Sequence, residues 1–133
     1  MEEQPSRPKR RLLLLNRDLM AGIAVANTAK ALGLAVDRVT SEHGLVQRWT
    51  EAKAETALVV LDLNAPVDWE QLELVLEDSA GAAVIGFGPH VDIDGRRAAK
   101  KAGLTRIYSN GEFHRTMRQA IAKHAGIPAD SAA

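Results

Sequence analysis

Hydrophobic residues in this chain alternate between short continuous runs and longer stretches with helical spacing. The continuous runs predict five strands, at Arg11–Leu15, Leu34–Val39, Ala57–Leu61, Ala82–Phe87 and Thr105–Tyr108. Between and after these runs, apolar residues recur at the spacing of one helix face, which predicts helices over residues 18–32, 41–54, 68–77, 92–102 and 112–124. The pattern therefore indicates five consecutive strand–helix units.

The order of these elements predicts the fold. Strands that alternate with helices form a parallel sheet with helices on both faces, because the crossovers are right-handed. A domain of this length favours the flavodoxin-like, three-layer αβα arrangement, with a five-stranded parallel sheet in the strand order 2-1-3-4-5. The Ala57–Leu61 run is apolar throughout, as expected for a central strand that is buried on both faces.

The two ends of the chain differ in composition from its middle. Residues 1–10 contain two prolines and no apolar residue after Met1, which predicts a disordered leader. We predict one domain over residues 11–125 and a flexible tail over residues 126–133. A small basic cluster near the start is interpreted as a solvated segment; it consists of Arg7, Lys9, Arg10 and Arg11.

The charge balance and the absence of cysteine exclude several function classes. Seventeen basic residues balance seventeen acidic ones, so the chain has no general attraction to nucleic acid or to an anionic membrane. Without cysteine, the chain cannot form disulfides, thiolate metal sites or a cysteine nucleophile. No apolar stretch is long enough to cross a bilayer. We therefore expect a cytoplasmic protein with no nucleic-acid or membrane partner.

Asp62 is the most informative polar residue, because it directly follows the Ala57–Leu61 strand. In open α/β sheets, ligands bind at the carboxyl ends of the strands, so Asp62 lies where a site is expected. Taken alone, an Asp at a strand end more often caps a loop amide. The Gly86–His90 turn lacks the glycine spacing of a nucleotide site, and the four histidines lack metal-site spacing. These residues therefore indicate no cofactor and no metal.

Three local patterns point to a known family. The first is the segment 11–18 followed by a helix that ends at Gly33, and the second is Leu58–Pro66, with its proline four residues after Asp62. The third is the turn at residues 102–104 that enters the fifth strand. Together, over residues 11–125, they resemble the receiver domain of bacterial two-component response regulators of the chemotaxis type.

The resemblance implies a signalling function. Receivers accept a phosphoryl group from a histidine kinase on an Asp, and Asp62 occupies that position. In the family, a divalent cation is bound by an acidic pair after the first strand, by the phosphoacceptor and by a backbone carbonyl two residues later. A Thr or Ser after the fourth strand and a Lys after the fifth strand bind the phosphoryl oxygens.

This chain departs from the family at most of those positions. The acidic pair is replaced by an amide and a cation, the hydroxyl residue by a glycine and the lysine by an amide, at Asn16, Arg17, Gly88 and Asn110. We interpret the site as degenerate, so that the chain resembles a pseudo-receiver, which has the receiver fold without the complete phosphorylation site.

A few of the family's ligands remain. Asp62 and the carbonyl of Asn64 are retained, and Asp18 is an acid one place too late in the loop. A guanidinium beside a carboxylate can pair with it and take over the charge role of a metal. We therefore predict that Arg17 pairs with Asp62 and opposes magnesium binding.

The resemblance and its gaps together favour a module that acts by docking to a protein partner, such as a signalling protein or a kinase, and not an enzyme. In receivers, the output surface is formed around the fourth helix, the fifth strand and the fifth helix. Tyr108 occupies the position of the aromatic switch residue on the fifth strand. The sequence leaves a homodimer open.

Two alternatives belong to other classes. In the first, the chain is a functional response regulator that a histidine kinase phosphorylates on Asp62, with Asp18 supplying part of a metal site. The second and weaker alternative is a small-molecule binder of the flavodoxin or cobalamin type. The chain has neither a flavin phosphate loop nor a cobalamin-binding signature, which counts against it.

Overall fold

The computed structural model of the protein describes residues 9–78 and 81–129. Most of the predicted leader and half of the predicted tail lie outside these residues. Within them, five parallel strands form one sheet in the order β2-β1-β3-β4-β5, which confirms the predicted fold class. The strands are β1 (Arg11–Leu15), β2 (Ala35–Val39), β3 (Thr56–Asp62), β4 (Ala83–Gly88) and β5 (Arg106–Ser109).

Helices cover both faces of this sheet. They are α1 (Leu19–Ala31), α2 (Glu42–Ala52), α3 (Glu73–Glu77), α4 (Ile93–Ala102) and α5 (Asn110–Ala125), with a 3-10 turn at Lys53–Glu55. One apolar cluster joins the sheet to α1 and α5, and the other joins it to α2, α3 and α4. Among the described residues, no helix has the length and apolar character needed to cross a membrane.

Strand β3 forms the centre of the sheet, and all seven of its residues are buried. Its side chains alternate between the two faces, so Leu58 and Val60 pack with α1 and α5. Val59 and Leu61 pack on the other face with α2, α3 and α4. This double burial explains why the sequence of β3 is continuously apolar up to Asp62.

Polar caps fix where the helices begin. Asp18 accepts a hydrogen bond from the Met20 N–H at 2.9 Å, and Asp92 accepts one from the Gly95 N–H at 2.9 Å. Gly103 ends α4 with φ +101°, a left-handed conformation that favours glycine. The two aspartate caps orient the loops after β1 and β4, at the carboxyl ends of those strands, whereas Gly103 lies in the loop that enters β5.

The helix predicted over residues 68–77 is shorter than expected, since only Glu73–Glu77 is α-helical. The preceding residues form turns because side chains capture their backbone. The carboxylate of Glu42 accepts the Asp68 N–H at 2.8 Å, and the carboxylate of Asp68 accepts the Gln71 N–H at 3.3 Å. The contact with Glu42 comes from a distant part of the chain, so local spacing could not reveal it.

Candidate functional site

Polar side chains converge at the carboxyl ends of β1, β3 and β5. Asp62 ends β3 and is only 4% exposed, while Asn16 follows β1 and is 1% exposed. Asn64 lies in the loop after β3, and Asn110 begins α5 directly after β5. Parallel strands bring their carboxyl ends to one edge of the sheet, which places these residues together. With Arg38 from β2, we call them the Asp62 cluster.

Both carboxylate oxygens of Asp62 are hydrogen-bonded to neutral groups. Oδ2 accepts from the side-chain amide of Asn16 at 3.0 Å. Oδ1 accepts from the backbone N–H of Asn64 at 2.9 Å and from its side-chain Nδ2 at 2.7 Å. A buried carboxylate requires such donors, because burial without them is costly. Three amide donors therefore satisfy Asp62 within the protein.

The amide of Asn64 also joins two loops. It donates to Asn110 Oδ1 at 3.0 Å, and Asn110 Nδ2 donates back to Asn64 Oδ1 at 2.7 Å. This reciprocal pair connects the loop after β3 to the first turn of α5. Asn110, at the position where receivers carry a lysine, is thus bonded to Asn64.

Arg38 is a cation that joins this hydrogen-bond network. Its Nη2 donates to Asn16 Oδ1 at 2.9 Å, reaching across from the edge strand β2. A guanidinium can only donate, so this bond sets the orientation of the Asn16 amide. The amide nitrogen of Asn16 is then left to face Asp62. Arg38 therefore acts on Asp62 through Asn16.

Gly22 gives Arg38 the space it occupies. A Cβ at Gly22, on the face of α1 that packs on the sheet, would overlap Asn16 Oδ1 and Arg38 Nη2. Arg38 was not among the site residues predicted from the sequence. A glycine inside a helix was the available signal, because such a residue often marks a close approach by another group.

Solved structures with the same architecture are receiver domains. A response regulator receiver domain from Clostridium thermocellum has a TM-score of 0.73 and 18% identity, covering 87% of this chain and 94% of that one. A receiver protein from Burkholderia phymatum has a TM-score of 0.70 and 22% identity, covering 92% and 99%. A CheY-like receiver from Methanospirillum hungatei has a TM-score of 0.73 and 14% identity, covering 88% and 94%.

The chain has the receiver-domain fold. No family model matches the sequence, and no curated protein matches it either. The fold is thus established by shape at low sequence identity, and the chemistry of the site has to be argued from this chain's own residues.

The predicted pair between Arg17 and Asp62 is wrong. Arg17 Nη2 instead donates to Glu42 Oε1 at 2.7 Å, and Arg17 makes no hydrogen bond with Asp62 within the described part of the chain. Glu42 is 8% exposed at the start of α2 and needs a cation there. Burial would raise the pKa of Glu42, but the N–H groups of Asp68 and of Glu42 itself, together with Arg17, lower it.

Asp18, the acid in the loop after β1, has a structural role at the start of α1. Its carboxylate caps α1 through the Met20 N–H, and the residue is exposed. A cap of this kind is stabilising in its own right. Asp18 therefore contributes no hydrogen bond to the Asp62 cluster among the described residues.

The receiver resemblance assigns Gly88 to the hydroxyl position, and the space beside Gly88 is filled by the side chain of Leu63. A Cβ at Gly88 would lie 2.9 Å from the Leu63 Cβ, closer than real contacts allow. Leu63 also covers Gly86, where an added Cβ would lie 2.8 Å from Leu63 Cδ1. A hydroxyl residue at position 88 would thus require Leu63 and its loop to move.

The residues of the Asp62 cluster do not fit the magnesium ion of receivers. Magnesium takes several oxygen ligands and usually binds through carboxylates and waters. Asp62 is the one carboxylate in the cluster, and the side-chain oxygen of Asn16 is bonded to Arg38. Nowhere in residues 9–78 and 81–129 do three or more His, Cys, Asp or Glu form a group able to hold a metal.

Tyr108 lies on β5, apart from the Asp62 cluster, and is 4% exposed. Its hydroxyl is 2.9 Å from His124 Nε2, and the Arg106 guanidinium lies 4.2 Å from its ring centre. Burial, and then the charges of Lys123 and Arg106, lower the pKa of His124. The neutral imidazole is therefore favoured, and its Nε2 can accept a hydrogen bond from the Tyr108 hydroxyl. These contacts keep Tyr108 directed inward.

Proposed function

We propose that this protein is a pseudo-receiver: a signalling module that docks to a protein partner and has no phosphorylation switch at Asp62. One observation carries the proposal. Both oxygens of Asp62 are bonded to neutral amides, which form part of a network that continues to Arg38 and Asn110. The site is satisfied by the protein itself, so it needs no metal to be stable.

The electrostatics of phosphoryl transfer support the same conclusion. The transferred group carries spread negative charge, which cations and aimed donors must stabilise. In this cluster the only cation is Arg38, and it already donates to Asn16. Asn110 offers a neutral amide where a lysine would be needed, and Leu63 fills the hydroxyl position at Gly88.

The test is chemical labelling of the full chain. The protein is incubated with acetyl phosphate and magnesium, and its intact mass is measured. We expect no acid-stable, base-labile phosphoryl adduct. The Asp62→Asn variant is the specific control, and Asp94→Asn serves as a matched change at an exposed acid with no role in either candidate function. An adduct that Asp62→Asn abolishes and Asp94→Asn leaves intact would overturn the proposal.

The second candidate is a response regulator that a histidine kinase phosphorylates on Asp62. The observation in its favour is that Asp62 ends β3 at the carboxyl edge of the sheet, at the phosphoacceptor position of the receiver pattern. This function requires Asn16 and Asn64 to release the carboxylate before it can attack a phosphoryl group. The labelling experiment separates the two candidates.

In the pseudo-receiver, the partner binds a surface whose conformation does not depend on phosphorylation. The surface formed by α4, β5 and α5 is the one used for output in receivers, and we assign the docking role to it here. Its aromatic residue Tyr108 is directed inward, where its hydroxyl contacts His124. The surface is therefore available in the protein as it folds.

A further inference from the structure

An open groove of about 610 Å³ runs between α4 and β5. Three of its residues are large and apolar, and four are basic. The lining consists of Ile93, Arg96, Arg97, Lys100, Leu104, Thr105, Arg106 and Ile107. We call it the α4–β5 groove. It contains no acidic residue, although the whole chain is formally neutral.

Most of the positive charge in this groove has no counterion. Arg106 forms an ion pair with Glu112 at 2.8 Å. Arg96, Arg97 and Lys100 form no ion pair with any carboxylate of the described residues. A cation in the last turn favours the helix dipole, which accounts for Lys100 but not for the two arginines. The cluster of like charges therefore offers a strong positive field to a ligand.

The apolar residues are placed where a ligand could cover them. Ile93 is 66% exposed at the start of α4, on the same helix face as Arg96, Arg97 and Lys100. On the β5 side, the groove is lined by Ile107, which is half-buried, and by Leu104, which is only 9% exposed, so Ile93 and Ile107 provide most of the accessible apolar surface. A purely charged ligand would leave this apolar surface in water.

The other side of α4 has the opposite character. A groove of about 530 Å³ there is lined by three glutamates, at positions 70, 73 and 77, and by Lys101. A ligand that carries negative charge would be attracted to one side of α4 and repelled by the other. Charge thus discriminates between two grooves of similar size.

We infer that the α4–β5 groove binds an acidic protein segment that also carries apolar side chains. The inference rests on the proposed function, since it names the chemistry of the partner that the module docks to. Charge complementarity favours Asp or Glu beside Arg96, Arg97 and Lys100, and the apolar floor favours Leu or Ile. Nucleic acid is the less suitable anion, because no aromatic residue lines the groove to stack on a base.

The test is selection of random short peptides displayed on phage against the full-length protein. The expected result is enrichment of peptides that combine Asp or Glu with large apolar residues. Their affinity, measured by fluorescence anisotropy, should fall as salt is raised. In the Arg97→Glu, Lys100→Glu variant, binding should weaken by about tenfold, because two attractions become repulsions.

The matched control is Arg10→Glu with Lys30→Glu, which makes the same charge change at exposed residues before β1 and in the last turn of α1, outside the surface formed by α4, β5 and α5. It should leave binding within about twofold. The inference is overturned if no peptides are enriched, if those enriched lack acids, or if both variants bind equally. A single-stranded oligonucleotide that binds more tightly than the peptides also overturns it. The proposed function fails by a different result, a phosphoryl adduct on Asp62.

Discussion

The Asp62 cluster and the α4–β5 groove differ in how their charged groups are partnered. In the cluster, Asp62 is bonded to three amide donors and Arg38 is bonded to Asn16. In the groove, Arg96, Arg97 and Lys100 face solvent without an ion pair to any described carboxylate. At the carboxyl edge of the sheet, where ligands bind in this fold class, the polar groups are hydrogen-bonded to one another. The groove cations without an ion pair among the described residues lie instead on one face of α4.

The difference follows from burial. A buried charge without donors is costly, so the fold is stable only if the hydrogen bonds to Asp62 are kept. Exposed charges cost little on the surface, so nothing in folding requires the groove to be basic. Substitutions in the cluster should therefore change the free energy of unfolding, and substitutions in the groove should change binding alone.

The largest expected effect is on the strand that carries Asp62. Leu61→Ala should lower the free energy of unfolding by about 2–4 kcal/mol, because Leu61 is fully buried at the centre of the sheet. Val59→Ala, on the same face of β3, should behave in the same way. Urea unfolding gives the values. Leu74→Ala is the control, because Leu74 is 54% exposed. A loss below about 0.5 kcal/mol for Leu61→Ala would contradict a core role.

The second prediction tests whether the amide of Asn16 is what closes the site. Asn16→Asp keeps an acceptor for Arg38 but replaces the donor 3.0 Å from Asp62 with a second carboxylate. Repulsion should lower the free energy of unfolding by about 1–3 kcal/mol. Magnesium should restore part of that loss by binding the new acidic pair. The natural protein should gain nothing from the ion.

Thermal melting with and without magnesium measures both effects. Asn27→Asp is a matched change on an exposed surface of α1 and should respond weakly to the ion. If magnesium raises the melting temperature of the natural protein as much as that of Asn16→Asp, the Asp62 cluster is not closed to metal. The pseudo-receiver proposal would then lose its electrostatic support.

The fold was predictable because its signals are local. Strand β1 has the predicted bounds, and the apolar run before Asp62 identified the central strand. The helix before Glu77 was predicted too long, because the Glu42 carboxylate captures the Asp68 backbone from another part of the chain. Contacts of this kind depend on the assembled sheet.

The candidate site was predictable in position but not in its pairing. The strand end located Asp62, and the resemblance to receivers assigned Asn16 and Asn110 to the same edge of the sheet. The cation near Asp62 is decided by which carboxylates bind the nearby arginines. Arg17 is adjacent to Asn16 in sequence, but it pairs with the buried Glu42. Arg38 reaches the Asp62 cluster instead, through the space that Gly22 leaves open. Neither the burial of Glu42 nor that gap is visible in local sequence patterns.

The third prediction tests that gap. Gly22→Ala should lower the free energy of unfolding by about 1–2 kcal/mol, because its methyl group displaces Arg38 and Asn16. The better helix propensity of alanine acts in the opposite direction and raises the free energy of unfolding by about 0.5–1 kcal/mol. In an Arg38→Ala background the same change should cost less, and a double-mutant cycle measures the coupling. Equal costs in both backgrounds would mean that Arg38 does not occupy the space.

The fourth prediction concerns the groove itself. Arg97→Glu with Lys100→Glu should change the free energy of unfolding by less than about 0.5 kcal/mol, because both side chains are exposed. Urea unfolding of this variant beside the Arg10→Glu, Lys30→Glu control gives the comparison. A large loss in the groove variant alone would mean that these cations stabilise the fold, and the contrast between the two regions would fail.

The smallest expected effect lies at Tyr108 and His124, beside the groove. The pKa of His124 is lowered, chiefly by burial, so the unfolded chain binds its proton more readily than the folded protein. Its contribution to stability is therefore complete above the unfolded pKa, about 6.5, and is lost as the pH falls through the lower folded pKa. His124→Gln should flatten stability against pH in that range. Urea unfolding at closely spaced pH values measures the slopes, and a His124→Gln slope equal to that of the natural protein would show that His124 does not cause this pH dependence.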